Sequence, residues 1–169
     1  MEGAIYLPVW ERGIQLKPFI LNARLQLGGL FLTAYLGGKN AALLAQGMYL
    51  TLGLWGWNDL RVFGEGGGLG YWQEPTFGYL LGFLPASYLA GMEAFSRPKD
   101  LVNFAWSGIL ALLVVHLTGM GYLLLRFLTQ PHLLLSYWLK YTVLLLPAHL
   151  AILCSCSLIA YIMRLVLLY

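Results

Sequence analysis

The chain has 169 residues, of which 60% are hydrophobic and only 10% are charged, and its formal net charge is +3. Soluble domains carry about a quarter charged residues, so this composition excludes an ordinary soluble protein and indicates a helical membrane bundle. The few positive charges form no basic stripe, which argues against nucleic-acid binding.

A transmembrane helix needs about 20 mainly apolar residues. By this criterion the sequence predicts an all-α fold, a polytopic transmembrane helical bundle, in a single integral membrane domain that covers residues 1–169. The first 24 residues contain several charges and predict neither a signal peptide nor a complete span. The five predicted spans cover residues 19–38, 40–57, 75–95, 101–125 and 141–168.

Glycine and proline mark the predicted boundaries. Gly37 and Gly38 end the first span, since glycine accepts the left-handed backbone that often follows a helix. A polar, glycine-rich loop at residues 58–74 separates the second and third spans, and Pro131 separates the fourth from the fifth. Pro85 and Pro147 lie within spans, where each is expected to kink its helix.

Basic residues predict the orientation of the bundle. Lys39, Arg97, Lys99 and Arg164 fall on one side of the predicted topology. The positive-inside rule makes that side cytoplasmic. The loop at residues 58–74 then faces outward, where a nutrient would arrive.

The third span carries small residues at four-residue intervals, at Gly78, Gly82, Ala86 and Ala90. Small side chains let neighbouring helices approach closely in a membrane. The spacing alone therefore predicts a tightly packed helix face.

Two stretches, separated by nine residues, carry a resemblance to a known family. Residues Leu25–Gly56 read LQLGGLFLTAYLGGKNAALLAQGMYLTLGLWG, and residues Gly66–Gly91 read GGGLGYWQEPTFGYLLGFLPASYLAG. Together they resemble the BioY family, in its cyanobacterial form. These proteins are the S components of energy-coupling-factor transporters for biotin. The resemblance implies biotin capture outside the cell membrane and inward delivery with a transmembrane coupling subunit and two ATPases.

The sequence departs from the family pattern in two places. The family has six membrane helices, and this chain is expected to lack the first. Many members also carry an acidic and a basic residue after the proline of the last helix. Here that segment reads PAHLAI, with His149 and Ile152 at the corresponding positions, so no lysine of that helix is available for a ligand carboxylate.

Biotin presents a ureido ring with donors and an acceptor, an apolar thioether ring and a flexible carboxylate chain. A matching pocket is mostly apolar and aromatic with a few fixed polar groups. The glycines would let the loop backbone approach the ligand, while the aromatic rings would pack on the bicycle. The predicted substrate-binding residues are Gln26, Gly67, Gly68, Tyr71, Trp72, Gln73, Thr76, Tyr79 and His149.

Other polar residues receive different predictions. Arg24, Arg126 and Lys140 are the outward basic residues that could meet the carboxylate, although each could equally extend to the membrane interface. Gln46 and His116 are predicted to form hydrogen bonds between helices, because polar groups inside a membrane need partners. No catalytic residue, metal site or cofactor is predicted.

Several alternatives stay open from the sequence. The chain could be an S component for another vitamin, such as thiamin or riboflavin, or a non-transporting truncated membrane protein. An intramembrane enzyme is disfavoured because HExxH, GxSxG and clustered carboxylates are absent from the sequence. It also lacks a P-loop, so any ATP use would belong to partner subunits.

Overall fold

The computed structural model describes residues 2–10, 14–55, 62–63 and 67–167, with side chains described from Leu25 to Val166. Within these ranges a strand pair precedes a bundle of helices. The elements are β1 (Glu2–Trp10), β2 (Ile14–Arg24), α1 (Gln26–Trp55), α2 (Phe77–Leu81), α3 (Phe83–Ser96), α4 (Leu101–Phe127), α5 (Pro131–Trp138) and α6 (Leu146–Leu167). A 3-10 turn at Leu69–Gln73 precedes α2, and a π turn at Leu139–Val143 joins α5 to α6.

The bundle is all-α, as predicted, but the chain enters it through an antiparallel hairpin. Strand β1 pairs with β2, with Tyr6 opposite Pro18. Helix α1 begins at Gln26, whereas the first span was expected to begin at about Phe19. A short apolar run such as Phe19–Leu21 fits a strand as well as a helix, because periodicity cannot separate the two over so few residues.

Helix α1 consists of two arms that meet at a sharp kink. Gly38 at the kink has φ 75° and ψ −178°, a backbone conformation that favours glycine. The first arm covers residues 26–37 and the second covers residues 39–55. At 1.5 Å per residue the first arm is about 18 Å long, which is shorter than the hydrocarbon core of a bilayer.

Helix α3 packs against this kink through its small residues. A Cβ atom added to Gly91 would lie 2.5 Å from the Lys39 nitrogen, so no larger side chain fits there. Ala86 and Ala90 are fully buried, and a Cβ on Gly82 would lie 3.0 Å from the Val115 Cα of α4. The prediction of a tightly packed small-residue face is therefore confirmed.

A buried arginine ties the last helix to the same end of the bundle. Arg164 of α6 is only 3% exposed, and its Nη1 donates a hydrogen bond to the Ala94 carbonyl over 2.9 Å. Its guanidinium lies 3.7 Å from the centre of the Phe95 ring. We call this region the kink end and define it by Gly38, Gly91, Phe95 and Arg164.

The last predicted span differs most from expectation. Helix α5 starts with Pro131 in its first turn, where proline is well tolerated, so this residue begins a helix rather than only ending one. The π turn and α6 then continue from α5 without a break, as one helical run from Pro131 to Val166. The π turn lies just before Pro147, whose ring displaces the carbonyl of the preceding turn.

Among the described residues, two helical runs are long and apolar enough to cross a membrane, Leu101–Phe127 and Pro131–Val166. Large apolar side chains also cover their outer surfaces, among them Leu113, Leu117, Leu158 and Ile162. Helices that are apolar outside as well as inside the bundle are typical of proteins surrounded by lipid.

Candidate ligand-binding site

The loop before α2 is attached to the far end of α1. The Gly68 amide donates a hydrogen bond to the Gly53 carbonyl over 2.8 Å. Gly68 has φ 88°, so glycine is favoured at this attachment point. We call this region the loop end of the bundle and define it by Gly53, Gly68, Tyr71 and Thr76. It lies at the opposite end of the second arm of α1 from the kink.

Buried aromatic residues hold the loop in place. Tyr71 is buried, and its hydroxyl lies 3.1 Å from the Thr76 hydroxyl, within hydrogen-bond distance. The ring of Phe63 lies 4.7 Å from the ring of Tyr71 and 5.3 Å from that of Tyr49 on α1. The predicted ligand-packing residue Tyr71 therefore also fixes the loop to the bundle.

Trp72 and Gln73 point away from this cluster and are exposed. The Trp72 carbonyl accepts a hydrogen bond from the Tyr122 hydroxyl of α4. The centre of the Trp72 ring lies 5.9 Å from the guanidinium carbon of Arg126, within reach of a cation–π contact. The loop therefore presents an aromatic face next to a cation, which suits a ligand with a ring and a carboxylate.

A second polar group lies between α2, α4 and the C-terminal helical run. We call it the inner polar cluster and define it as Tyr79, His116, Thr142 and His149. The hydroxyls of Tyr79 and Thr142 are 2.8 Å apart, and His149 Nδ1 lies 3.4 Å from His116 Nε2. The rings of Tyr79 and His116 meet edge to face, with centres 5.9 Å apart. His116 Nδ1 has no hydrogen-bond partner within the described part of the chain.

A cavity of about 220 Å³ lies between the two arms of α1. Gln26, Gly29 and Thr33 line it from the first arm, and Gln46 and Tyr49 line it from the second. Because Tyr49 also touches Phe63, the cavity wall continues into the aromatic cluster under the loop.

The structure divides the predicted site residues among three places. Six lie in or beside the loop, two belong to the inner polar cluster, and one lines the cavity. The loop group is Gly67, Gly68, Tyr71, Trp72, Gln73 and Thr76; the inner pair is Tyr79 and His149; the cavity residue is Gln26. Aromatic contacts through Tyr49 and Phe63 connect the loop to the cavity, and a backbone hydrogen bond of 3.1 Å from the Tyr79 amide to the Thr76 carbonyl connects the inner polar cluster to the loop.

Sequence reasoning missed four residues that complete these arrangements. Tyr49, Phe63, His116 and Thr142 were not predicted to belong to the site. Gln46 also differs from its prediction: among the described residues its side chain forms no hydrogen bond to another helix. The three-residue spacing of Gln46 and Tyr49 could have indicated that both line the same cavity, since residues three apart share a helix face.

The cations proposed for a ligand carboxylate occupy different positions. Arg126 lies beside Trp72, while the Lys140 ammonium lies 5.0 Å from the Tyr141 ring centre. The side chain of Arg24 lies outside the described residues. In the described part of the chain, no group of three or more metal-ligating side chains comes together.

Comparison with known proteins identifies the family. The model of the BioY family matches residues 13–167. The chain belongs to the BioY family. Proteins of this family are membrane proteins, in agreement with the two long apolar helical runs of the bundle.

Individual relatives support this assignment. An uncharacterised 21.2 kDa protein of Cyanophora paradoxa, from the psbX–ycf33 intergenic region, is 32% identical over 130 residues, or 77% of this chain and 67% of the relative. The probable biotin transporter BioY of Lysinibacillus sphaericus is 33% identical over 65% of this chain and 53% of its own. The biotin transporter BioY of Thermotoga maritima is 36% identical over 56% of this chain and 54% of its own. This BioY-family chain thus aligns with little more than half the length of the two named transporters.

A solved structure shares the fold. The crystal structure of the S-component for biotin from an ECF-type ABC transporter superposes with a TM-score of 0.62. The superposition covers 94% of this chain and 82% of the other, at 23% sequence identity. The helical architecture is therefore that of an S component.

Proposed function

We propose that this membrane protein is the substrate-binding subunit of a biotin uptake system. It captures biotin outside the cell membrane and delivers it inward together with an ATP-driven coupling module. The observation that carries the proposal is the BioY family match over residues 13–167. Two relatives named as biotin transporters and the shared S-component fold add support.

The arrangement of the loop end suits capture of a small amphipathic ligand. The loop is anchored by Gly68 and Tyr71, yet it exposes Trp72 and Gln73 beside Arg126. An exposed aromatic ring can pack on the apolar bicycle, and the nearby guanidinium can meet the carboxylate. The proposed substrate-binding residues remain those derived from the sequence, with Arg126 as the favoured carboxylate partner.

The proposed orientation places the loop end outside and the kink end in the cytoplasm. Lys39, Arg97 and Lys99 all lie near the kink end, which agrees with the positive-inside rule. On this view the membrane is the cell (inner) membrane, and the protein crosses it several times. The transmembrane coupling subunit and the ATPase subunits are proposed partners, since the chain supplies no nucleotide-binding motif of its own.

Equilibrium binding of labelled biotin to the purified protein in detergent tests the proposal, with thiamin and riboflavin as competitors. We expect saturable binding that unlabelled biotin abolishes and the other two vitamins leave intact. Competition by thiamin or riboflavin alone would make the protein an S component for another vitamin. Folded protein that binds none of the three would contradict substrate capture, and a non-transporting membrane protein would then be the better description.

Arg126→Met sharpens the test at the carboxylate. We expect weaker binding of biotin, and little change for its methyl ester, which carries no negative charge. Arg97→Met is the matched control, because Arg97 is an exposed arginine at the kink end, paired with Glu93. Equal losses for biotin and its ester would argue that Arg126 acts on the fold and not on the ligand.

A further inference from the structure

We infer that His116 and His149 form a pH-sensitive contact between α4 and α6, which is closed while both imidazoles are neutral and opens when they take up protons. The contact lies within the inner polar cluster. It concerns a movement of the bundle rather than the identity of the ligand, and it therefore goes beyond the proposed function.

Two ring nitrogens face each other in this contact. His149 Nδ1 lies 3.4 Å from His116 Nε2, and the ring centres are 5.4 Å apart. His116 is 8% exposed and His149 is 7% exposed, so both rings are buried. The gap between the nitrogens holds one hydrogen atom, which one nitrogen donates and the other accepts. A neutral imidazole provides one donor and one acceptor, so the neutral pair fits this geometry.

Added protons are unfavourable in this pair for two reasons. A single proton places a positive charge inside a membrane bundle, which is costly without an anionic partner. A second proton makes both rings imidazolium, which has a hydrogen on each nitrogen and no acceptor. The facing nitrogens would then both carry hydrogens and the rings would carry like charges, so the contact cannot persist.

The described part of the chain provides no carboxylate that could compensate these charges. The carboxylates whose side chains are described are Glu74, Glu93 and Asp100, and none of them forms a hydrogen bond or ion pair with either imidazole. The charged residues of the surrounding helices are instead distributed elsewhere: Lys39 on α1, Glu93 on α3, Arg126 on α4 and Arg164 on α6.

The titratable groups that face the pair from neighbouring elements are phenols. Tyr79 of α2 meets His116 edge to face, and its ring centre lies 6.3 Å from that of Tyr141 in the π turn. Tyr137 of α5 stacks on Tyr141, and the Lys140 ammonium lies 5.0 Å from the Tyr141 ring centre. Phenols stay neutral below about pH 8, and the ammonium is a further cation. These groups therefore do not stabilise a protonated pair.

One side of the contact is able to move. A Cβ atom added to Gly119 of α4 would lie 2.4 Å from the Tyr79 ring, so α2 and α4 pack without spare room. On the other side, His149 follows the π turn at Leu139–Val143 and Pro147. Helices bend at π turns and prolines. Bending of the C-terminal helical run can therefore open the contact while α2 and α4 stay together.

This arrangement makes the stability of the bundle depend on pH. Histidine is the side chain whose ordinary pKa, about 6.5, lies between pH 5 and 8. The closed contact keeps both rings neutral, whereas the unfolded chain takes up the protons freely, so the folded state binds fewer protons in acid. The stabilisation is complete above about pH 7.5 and decreases as the pH falls toward about 5.5.

Thermal unfolding of the purified protein in detergent at about pH 7.5 and about pH 5.5 tests the inference. The chain has three histidines, so the double variant His116→Phe/His149→Phe keeps only His132. Phenylalanine keeps a ring against Tyr79 and takes up no proton. We expect the wild-type midpoint to fall by about 5 °C on acidification, and that of the double variant by less than half as much. His132→Gln, at an exposed position of α5, is the matched control and should respond as the wild type does.

Hydrogen exchange of the wild-type protein locates the opening and does not depend on the folding of a variant. After correction for the intrinsic effect of pH, we expect protection in residues 139–150 to fall about tenfold in acid, with unchanged protection around Gly91 at the kink end. Unchanged protection in residues 139–150, or an equal loss throughout the bundle, would overturn the inference. Equal falls in midpoint for the wild type and the folded double variant would also overturn it. Neither measurement involves biotin, so these outcomes leave the proposed function intact.

Discussion

The kink end and the loop end of the bundle differ in how completely their side chains fill the interior. At the kink end, backbones pack so closely that Gly91 cannot carry a side chain, and Arg164 is buried with its Nη1 hydrogen-bonded to a carbonyl. At the loop end a cavity lies beside a buried glutamine that forms no hydrogen bond within the described residues. The first arrangement fills space, whereas the second leaves space and polar groups available.

This difference separates stability from binding along the axis of the bundle. Close packing stabilises a fold, while unfilled space lined by polar groups is characteristic of ligand sites. Substitutions at the kink end should therefore change stability first. Substitutions at the loop end should change affinity at a smaller cost in stability.

The largest effect is expected for Gly91→Leu. The new side chain would collide with the backbone of Gly38 and Lys39, which cannot move aside without unpacking the kink. We expect a loss of about 3 kcal/mol in the free energy of unfolding, or failure to fold. Thermal unfolding of the purified protein in detergent measures this loss. Gly121→Leu, where a Cβ meets nothing within 4 Å, should keep the wild-type midpoint. Equal midpoints for the two variants would contradict close packing at the kink.

A somewhat smaller effect is expected for Arg164→Met. The methionine keeps much of the apolar volume but loses the hydrogen bond to the Ala94 carbonyl and the contact with the Phe95 ring. Hydrogen bonds from charged donors and buried cation–π contacts together predict a loss of about 2 kcal/mol. The same thermal measurement applies.

Arg97→Met provides the comparison for Arg164. Arg97 forms an ion pair with Glu93 over 2.7 Å, but its side chain is 45% exposed. An exposed pair contributes about 0.5 kcal/mol or less, so this variant should be close to wild type. If the two variants lost equal free energy of unfolding, burial would not explain the stabilisation by Arg164.

Much of the bundle could be predicted from the sequence because apolar length and glycine positions are local signals. Gly37 and Gly38 were expected to end a helix, and the first arm of α1 ends at Gly38. The small residues Gly78, Gly82, Ala86 and Ala90 were expected to pack closely, and they do. The strand at Ile14–Arg24 was missed because its apolar run is short. The helix from Pro131 was missed because proline can either end a helix or begin one.

The site was harder to predict because its components come from distant parts of the chain. Thr142 and Tyr79 are 63 residues apart, and His116 and His149 are 33 apart, so no local pattern connects them. Tyr71 shows a second limit. Its sequence context indicated a ligand contact, yet the same side chain holds the loop in place. Residue type alone cannot separate these two roles.

The smallest and most informative effect concerns the hydrogen bond between Tyr71 and Thr76. Tyr71→Phe and Thr76→Val each remove one partner, and each should lower the free energy of unfolding by about 1 kcal/mol. Because both variants break the same bond, the double variant should cost little more than either alone.

Biotin affinity, measured for the same variants, then separates the two roles of Tyr71. If neither hydroxyl touches the ligand and both act only through this bond, the two single variants should weaken binding equally. A larger loss in Tyr71→Phe would mean that the hydroxyl also touches the ligand, and would place a ligand contact within the loop anchor itself.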